Sequence, residues 1–160
     1  MSAAVDSEQA FPLPDPVVPM SPAGAHRLAW AYWEEVGRTT RGLVSVRSTG
    51  GGVELRLLRN GPVLLGFGPP EFGVRPTSVS CSYPVVGGLL ARARGGVLVL
   101  AQEHADGWRL RTAIQGFFPR LGALTGRPRW TGFLYAQVQA RLHRAVGRKY
   151  VARLVREDLR

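Results

Sequence analysis

Cysteine is almost missing from this chain: Cys81 is the only one in 160 residues. No intrachain disulfide can form, and a reducing, cytoplasmic setting is expected. Lysine is nearly missing too, since Lys149 stands alone beside twenty arginines. Acidic side chains are scarce, 11 against 21 basic ones for a formal charge of +10. A codon habit can set the choice of arginine over lysine, but the shortage of Asp and Glu leaves the positive field a physical fact. No run of about 18 apolar residues occurs, which excludes a transmembrane helix. The opening MSAAVDSEQA has neither the positive start nor the apolar stretch of roughly 7–15 residues of a secretory signal. His26, His104 and His143 lie far apart, so no spacing matches a zinc site. No glycine run has the G-x-x-x-x-G-K-S/T form that cradles phosphate. No metal and no cofactor is therefore expected.

What is present is enough apolar material, 45% of 160 residues, for one domain with a real core. Residues 1–21 differ from the rest, with Asp6, Glu8 and Asp15 and no basic residue. Pro12, Pro14, Pro16 and Pro19 each remove a backbone donor and fix a torsion. We read 1–21 as a Pro-rich acidic leader, mobile or laid on the surface, with Phe11, Val17 and Val18 able to pin it to a sheet edge. A single domain then fills 22–160. Ser21-Pro22 is a good helix start, Ser as N-cap and Pro at the first position. Leu28, Ala29, Tyr32, Trp33 and Val36 follow on one face, and Gly37 is a plausible stop. This helix is expected to cover one end of a sheet.

After Arg41 the apolar period becomes two. Val44 and Val46 alternate with polar residues, as do Val53, Leu55 and Leu57, and Gly50-Gly51-Gly52 between them makes a hairpin. Asn60-Gly61 reads as a type I′ turn, because both positions need positive φ, and 62–67 returns as a third strand. Residues 68–73 break the pattern and read as a loop at the mouth of the fold. Val79, Cys81 and Tyr83 alternate with Ser78, Ser80 and Ser82, a half-buried strand. A short strand at 89–94 follows, then an apolar, central strand at 97–101. Asp106-Gly107 makes a tight turn before Trp108, Leu110, Thr112 and Ile114. Six or seven antiparallel strands in meander order result.

A connecting loop at 122–128 leads into a helix of up to about 28 residues, roughly 40 Å long. Its Leu134, Val138, Leu142, Val146, Tyr150 and Leu154 recur every four residues, so the apolar stripe spirals or the helix bends near Gly147. Arg141, Arg144 and Arg148 share a different side.

The fold class expected is α+β: an antiparallel curved meander sheet with an N-terminal helix and a long C-terminal helix packed across it. This order, with segments such as Tyr83-Pro84-Val85-Val86-Gly87-Gly88 and Gln115-Gly116-Phe117-Phe118-Pro119-Arg120-Leu121, resembles the helix-grip fold of the START and Bet v 1-like superfamily over residues 22–158. The resemblance implies a space between sheet and long helix that takes an apolar or amphipathic small molecule. Phe67, Cys81, Tyr83, Trp108, Leu110, Ile114, Tyr135 and Leu142 are the expected ligand-binding wall. The same pattern also describes a filled core.

Two other readings compete. Arg141, Arg144 and Arg148, with Lys149, Arg153, Arg156 and Arg160 and the strand residues Arg47, Arg56, Arg109 and Arg111, suit an anion site on a binding module for nucleic acid or an acidic protein. No helix-turn-helix or RNA-binding signature accompanies them. A cyclase or hydrolase on the same scaffold would need converging polar groups, and Glu103-His104 at a strand end is the one acid/base pair in view. The alternative for that pair is an exposed polar turn. No catalytic residue is assigned, and Cys81 reads as a small buried apolar residue.

Overall fold

A computed structural model of the chain describes residues 5–91, 95–117 and 130–160. In chain order these form β1 (Val5–Leu13), α1 (Pro22–Thr39), β2 (Val44–Thr49), β3 (Gly52–Leu57), β4 (Val63–Phe67), β5 (Glu71–Arg75), β6 (Ser78–Gly87), β7 (Val97–His104), β8 (Trp108–Phe117) and α2 (Trp130–Asp158). Every pairing is antiparallel, in the order β1-β8-β7-β6-β4-β3-β2, with β5 attached to β6. This is a curved antiparallel sheet with α1 on it and α2 packed across it, the helix-grip arrangement. Among the described residues no helix is long and apolar enough to cross a membrane.

The proline-rich leader is part of the sheet and of the core. Residues 5–13 are β1, an edge strand that pairs Gln9 with Thr112, Phe11 with Leu110 and Leu13 with Trp108. An edge tolerates Pro12, whose missing N–H costs no ladder bond when it faces outward. Past β1 the chain dives inward, and Val17 and Val18 are buried. Their backbone is held by Gln102, itself fully buried on β7: its Oε1 accepts from Val17 N at 2.6 Å and Val18 N at 3.0 Å, and its Nε2 donates to Val18 O at 2.9 Å.

Among the described residues the strand count is therefore eight where six or seven were expected, and two local readings need correction. The segment expected as a mouth loop, 68–73, contains most of β5. Pro69 and Pro70 cannot donate to β6, so one strand position splits in two: β4 pairs β6 at Val85 and Gly87, and β5 takes over along Ser78 to Ser82. The expected strand at 89–94 is not one over its described part. Leu89 and Leu90 turn back on β4, their N–H groups donating to Val63 O at 3.0 Å and Leu64 O at 2.9 Å; residues 92–94 lie outside the described ones, as does the expected loop at 122–128.

The hairpin turns exchange roles. Gly50 and Gly51, at φ +52° and +88°, make the tight two-residue loop between β2 and β3. Asn60 and Gly61 sit in a wider loop from 58 to 62, where Leu58 carries the positive φ of +55°. That conformation costs an L side chain about 1–2 kcal/mol.

Helix α1 starts as expected, with Ser21 Oγ accepting from Gly24 N at 3.4 Å and Pro22 in the first turn. It runs two residues beyond Gly37 and ends at Thr40, whose hydroxyl donates to Val36 O at 2.9 Å. Leu28, Ala29, Tyr32, Trp33 and Val36 are all buried, against β5, β6, β7, β2 and α2. Helix α2, about 43 Å long at the α-helical rise, buries Val146, Tyr150 and Leu154. The Tyr150 hydroxyl donates to Leu28 O of α1 at 2.9 Å. Gly147 lies so close to Gln9 and Phe11 that a Cβ there would overlap the Gln9 side chain. Arg153 binds Glu34 of α1 and, at 2.9 Å, Glu157 of its own helix, with Glu35 at 4.0 Å.

Replacing Gln102 with Leu keeps the volume but leaves the Val17 and Val18 N–H groups buried and unpaired. A loss of about 2–4 kcal/mol in urea unfolding is expected, with faster amide exchange at Val17 and Val18. Leu58→Asn, a residue that tolerates positive φ, is expected to raise stability by about 0.5–1 kcal/mol in the same assay.

Candidate ligand site between sheet and helix

Strand register and the two-residue alternation set the inner face of the sheet. Three rows cross it: Val79, Gln102, Leu110 and Phe11; then Cys81, Leu100, Thr112 and Gln9; then Tyr83, Leu98, Ile114 and Ser7. The first row is closed by the chain at Val17 and Val18 that Gln102 holds. The second runs under the α2 turn that seats Gly147 on Gln9. Over the third, Trp33 of α1 meets Tyr83 edge-on at 5.2 Å and Phe67 at 5.1 Å, and Phe67 and Tyr83 lie 6.4 Å apart. Tyr32 joins Trp33 to Tyr150 through contacts of 5.2 and 5.5 Å.

Polar atoms are few here, and several lack partners. Thr112 is fully buried and its Oγ1 has no hydrogen-bond partner among the described residues. The Trp33 indole N–H, also buried, lies toward the Tyr83 hydroxyl without meeting hydrogen-bond geometry. His143 Nε2 on α2 is likewise buried and unpartnered among the described residues. At helical spacing His143 shares the inward side with Val146, Gly147 and Tyr150.

Burial governs the titration of these groups. It pushes the Cys81 thiol up to about 12, only partly offset by a hydrogen bond with Tyr83. The thiol stays protonated and is no nucleophile. Burial likewise raises Tyr83, Tyr32 and Tyr150 above the usual phenol range, and it lowers His143, which is therefore held neutral.

The structure brings together some of the expected wall and separates the rest. Phe67, Cys81 and Tyr83 are buried and adjacent through Trp33 and the Tyr83 hydroxyl. Ile114 is half-buried and shares the row of Tyr83. Leu110 is fully buried in the closed first row. Trp108 lies at the far end of β8, about 20 Å along the strand from the row of Tyr83, against His104 at 4.9 Å and opposite Leu13. Tyr135 and Leu142 lie on α2, but their side chains are outside the described ones. Glu103 and His104, weighed as an acid/base pair, point to opposite faces of β7. Glu103 pairs with Arg109 at 2.8 Å and Arg111 at 3.3 Å, while His104 is exposed.

Sequence reasoning passed over Trp33, Thr112 and His143 as site residues. For His143 a signal existed, because it stands three, four and seven residues before Val146, Gly147 and Tyr150. Thr112 was legible as inward-facing, but its missing partner was not, and the meeting of Trp33 with Tyr83 is a tertiary event.

A lowered His143 pKa makes a signed prediction. Around the unfolded value of about 6.5, acidification protonates the unfolded chain before the folded one, so stability falls as pH falls through that range. His143→Gln removes this contribution. The urea midpoint of the variant is expected to drop less between pH 7.5 and 5.5 than that of the native chain; parallel drops would show that His143 titrates alike in both states.

No family model matches the sequence, and no curated protein matches it. Among solved structures the chain is similar to Ara h 8.0201, at 12% identity over 94% of this chain and 99% of that one, with a TM-score of 0.44. It is also similar to the Mll3558 protein from Rhizobium loti, at 16% identity over 92% and 97% of the two chains and a TM-score of 0.34. An uncharacterized protein from Rhizobium leguminosarum gives 11% identity over 92% and 99%, with a TM-score of 0.33. The architecture given above rests on strand order and helix placement, independently of these likenesses.

Proposed function

We propose that the protein encloses a small, uncharged, amphipathic molecule between the inner sheet face and the N-terminal half of α2. The observation that carries this reading is two buried polar atoms that meet no hydrogen-bond partner among the described residues, Trp33 Nε1, which lies toward the Tyr83 hydroxyl, and Thr112 Oγ1, in an otherwise apolar and aromatic interior. A buried donor without an acceptor costs about 1–3 kcal/mol, and a ligand oxygen set against Trp33 removes that cost. The element order supports the same reading, since it resembles that of START and Bet v 1-like proteins, whose scaffold surrounds small molecules.

Charge selects against an ionised ligand. Glu35 and Arg153, both buried, face each other between the helices, and no residue from Trp130 to Ala140 is charged. A carboxylate or ammonium ion placed against Tyr83 would meet no counter-charge there among the described residues and would lose its hydration. Phe67, Cys81, Tyr83 and Ile114 are the proposed wall, with Trp33 as donor and Thr112 as donor or acceptor. Tyr135 and Leu142 are proposed to complete it from α2, and Leu110 and Trp108 to back its closed end. The enzymatic alternative requires proton-transfer groups that face one point, and Glu103 and His104 diverge.

Two fluorescent probes separate shape from polarity: prodan, a neutral naphthyl ketone, and diphenylhexatriene, a hydrocarbon. Saturable 1:1 binding of prodan with a blue-shifted emission is expected. Trp33→Phe, which keeps the ring and deletes the donor, is expected to weaken prodan five- to tenfold, about 1–1.4 kcal/mol, and to leave diphenylhexatriene unchanged. Absence of saturable binding by either probe would overturn the enclosure, whereas equal effects on both would overturn only the role given to the indole N–H.

A further inference from the structure

The outward side of α2 is a separate feature that the enclosed site does not use. Val146, Gly147, Tyr150, Arg153 and Leu154 occupy the buried side of this helix. At about 100° per residue, Arg141, Arg144, Arg148, Lys149 and Arg156 fall within an arc of about 140° on the opposite side, and all five are exposed. They span about 22 Å along the axis, and no acidic residue occurs anywhere from Arg141 to Arg156.

Elsewhere several arginines are neutralised, although Arg41, Arg47, Arg59, Arg75 and Arg160 have no carboxylate partner among the described residues. Arg56 pairs with Glu54, Arg109 and Arg111 with Glu103, Arg27 with Glu157, and Arg153 with Glu34. The five ridge residues have no carboxylate partner among the described residues. Of the strand arginines that the sequence grouped with them, Arg56, Arg109 and Arg111 are thus engaged and Arg47 is not, and the unpaired positive charge of α2 is collected on one rod.

We propose that this ridge docks on double-helical nucleic acid through its phosphates. Three features favour that occupant. The charge is complementary, and a duplex presents one phosphate per about 1.7 Å of axis. The outward half of an α-helix fits the major groove, about 12 Å wide, and the arc places Arg144 on one flank and Lys149 on the other with Arg141 and Arg148 between them. The ridge also lacks what the competing partners require. Its uncharged positions are Ala145 and Ala152, with Val155 half-buried at its margin, so it offers neither the apolar side chains that a membrane-lying helix inserts nor a central aromatic anchor for a protein interface.

The full-length protein is titrated with a fluorescein-labelled 24-base-pair duplex from 50 to 300 mM KCl, and with vesicles containing 30% phosphatidylserine. Five phosphate contacts at about 0.9 ions each give a slope of about −4.5 for log K against log salt. The double reversal Arg144→Glu/Arg148→Glu is expected to weaken duplex binding more than tenfold at 100 mM salt. Arg47→Glu, an exposed position on β2 at the other sheet edge, is expected to change it less than threefold. Unfolding midpoints check that both variants fold; should the reversal destabilise the chain, the neutral pair Arg144→Gln/Arg148→Gln replaces it, with about half the effect. A slope shallower than −2, equal losses from β2 and α2 variants, or tighter binding to vesicles than to duplex would each overturn the proposal.

Discussion

Gln102 is the constraint from which the inner architecture follows. An amide placed on the inner face of a central strand must satisfy both its donor and its acceptor without water, or it costs more than the side chain gains by packing. The partners it has are backbone groups of Val17 and Val18, eighty-four and eighty-five residues earlier in the chain. Holding those two residues fixes the path between β1 and α1, and with it the point at which Ser21 caps the helix. The direction of α1 across the sheet is then set, and Leu28 is brought to where the Tyr150 hydroxyl of α2 can reach its carbonyl. One buried side chain on β7 thus ties the N-terminal edge strand to both helices.

The two helices close the inner face unevenly, and that unevenness gives the interior its character. Gln102 and Leu110 are fully buried, and near Gln9 the helix approaches so closely that a Cβ at Gly147 would displace the Gln9 amide. Toward Tyr83 the cover comes from the ring of Trp33. Polar atoms left unpaired collect between these regions, at Thr112 on β8, Trp33 on α1 and His143 on α2. A core selected only for stability removes such atoms or pairs them. Among the described residues they lie on three different elements.

Much of this was legible in the chain because local rules and tertiary packing agree. Ser21-Pro22 starts a helix in any context, and Leu28, Tyr32, Trp33 and Val36 can bury only one face of it. The alternation through Val79, Cys81 and Tyr83 and the apolar run at 97–101 likewise have a single use, as a strand buried on one side and a central strand. Misreadings occur where a tertiary partner overrides local preference. The prolines of the leader argue against a strand until β8 offers an edge that needs no donor from Pro12. The Asn60-Gly61 pair is the better turn by local chemistry, but the contact of Leu58 N with Leu43 O, at 2.8 Å, draws the loop open and places the left-handed residue at Leu58. Pro69 and Pro70 mark a true interruption, and only the length of β6 reveals that a strand resumes after it. In the site, residue types were readable and convergence was not, so Trp108 was grouped with side chains that lie at the other end of the sheet.

The basic surplus, finally, has a part that burial explains and a part that it does not. Any helix lying on a sheet exports its unpaired charges to the solvent side, because an unpaired cation inside would lose its hydration. Arg153 obeys the rule by exception: it is the one basic residue on the inner side of α2, and it is met by Glu34, Glu35 and Glu157. Export alone accounts for the position of Arg141, Arg144, Arg148, Lys149 and Arg156, but it says nothing about their company. A solvent-facing helix gains a few tenths of a kcal/mol from each Glu placed four residues before an Arg or Lys, and like charges at that spacing cost a similar amount. The outward side of α2 forgoes the first and accepts the second over sixteen consecutive residues without an acid. A genome that favours arginine codons changes Lys to Arg and leaves Glu free to appear, so the missing acids are the feature that codon usage leaves unexplained and that an anionic partner explains.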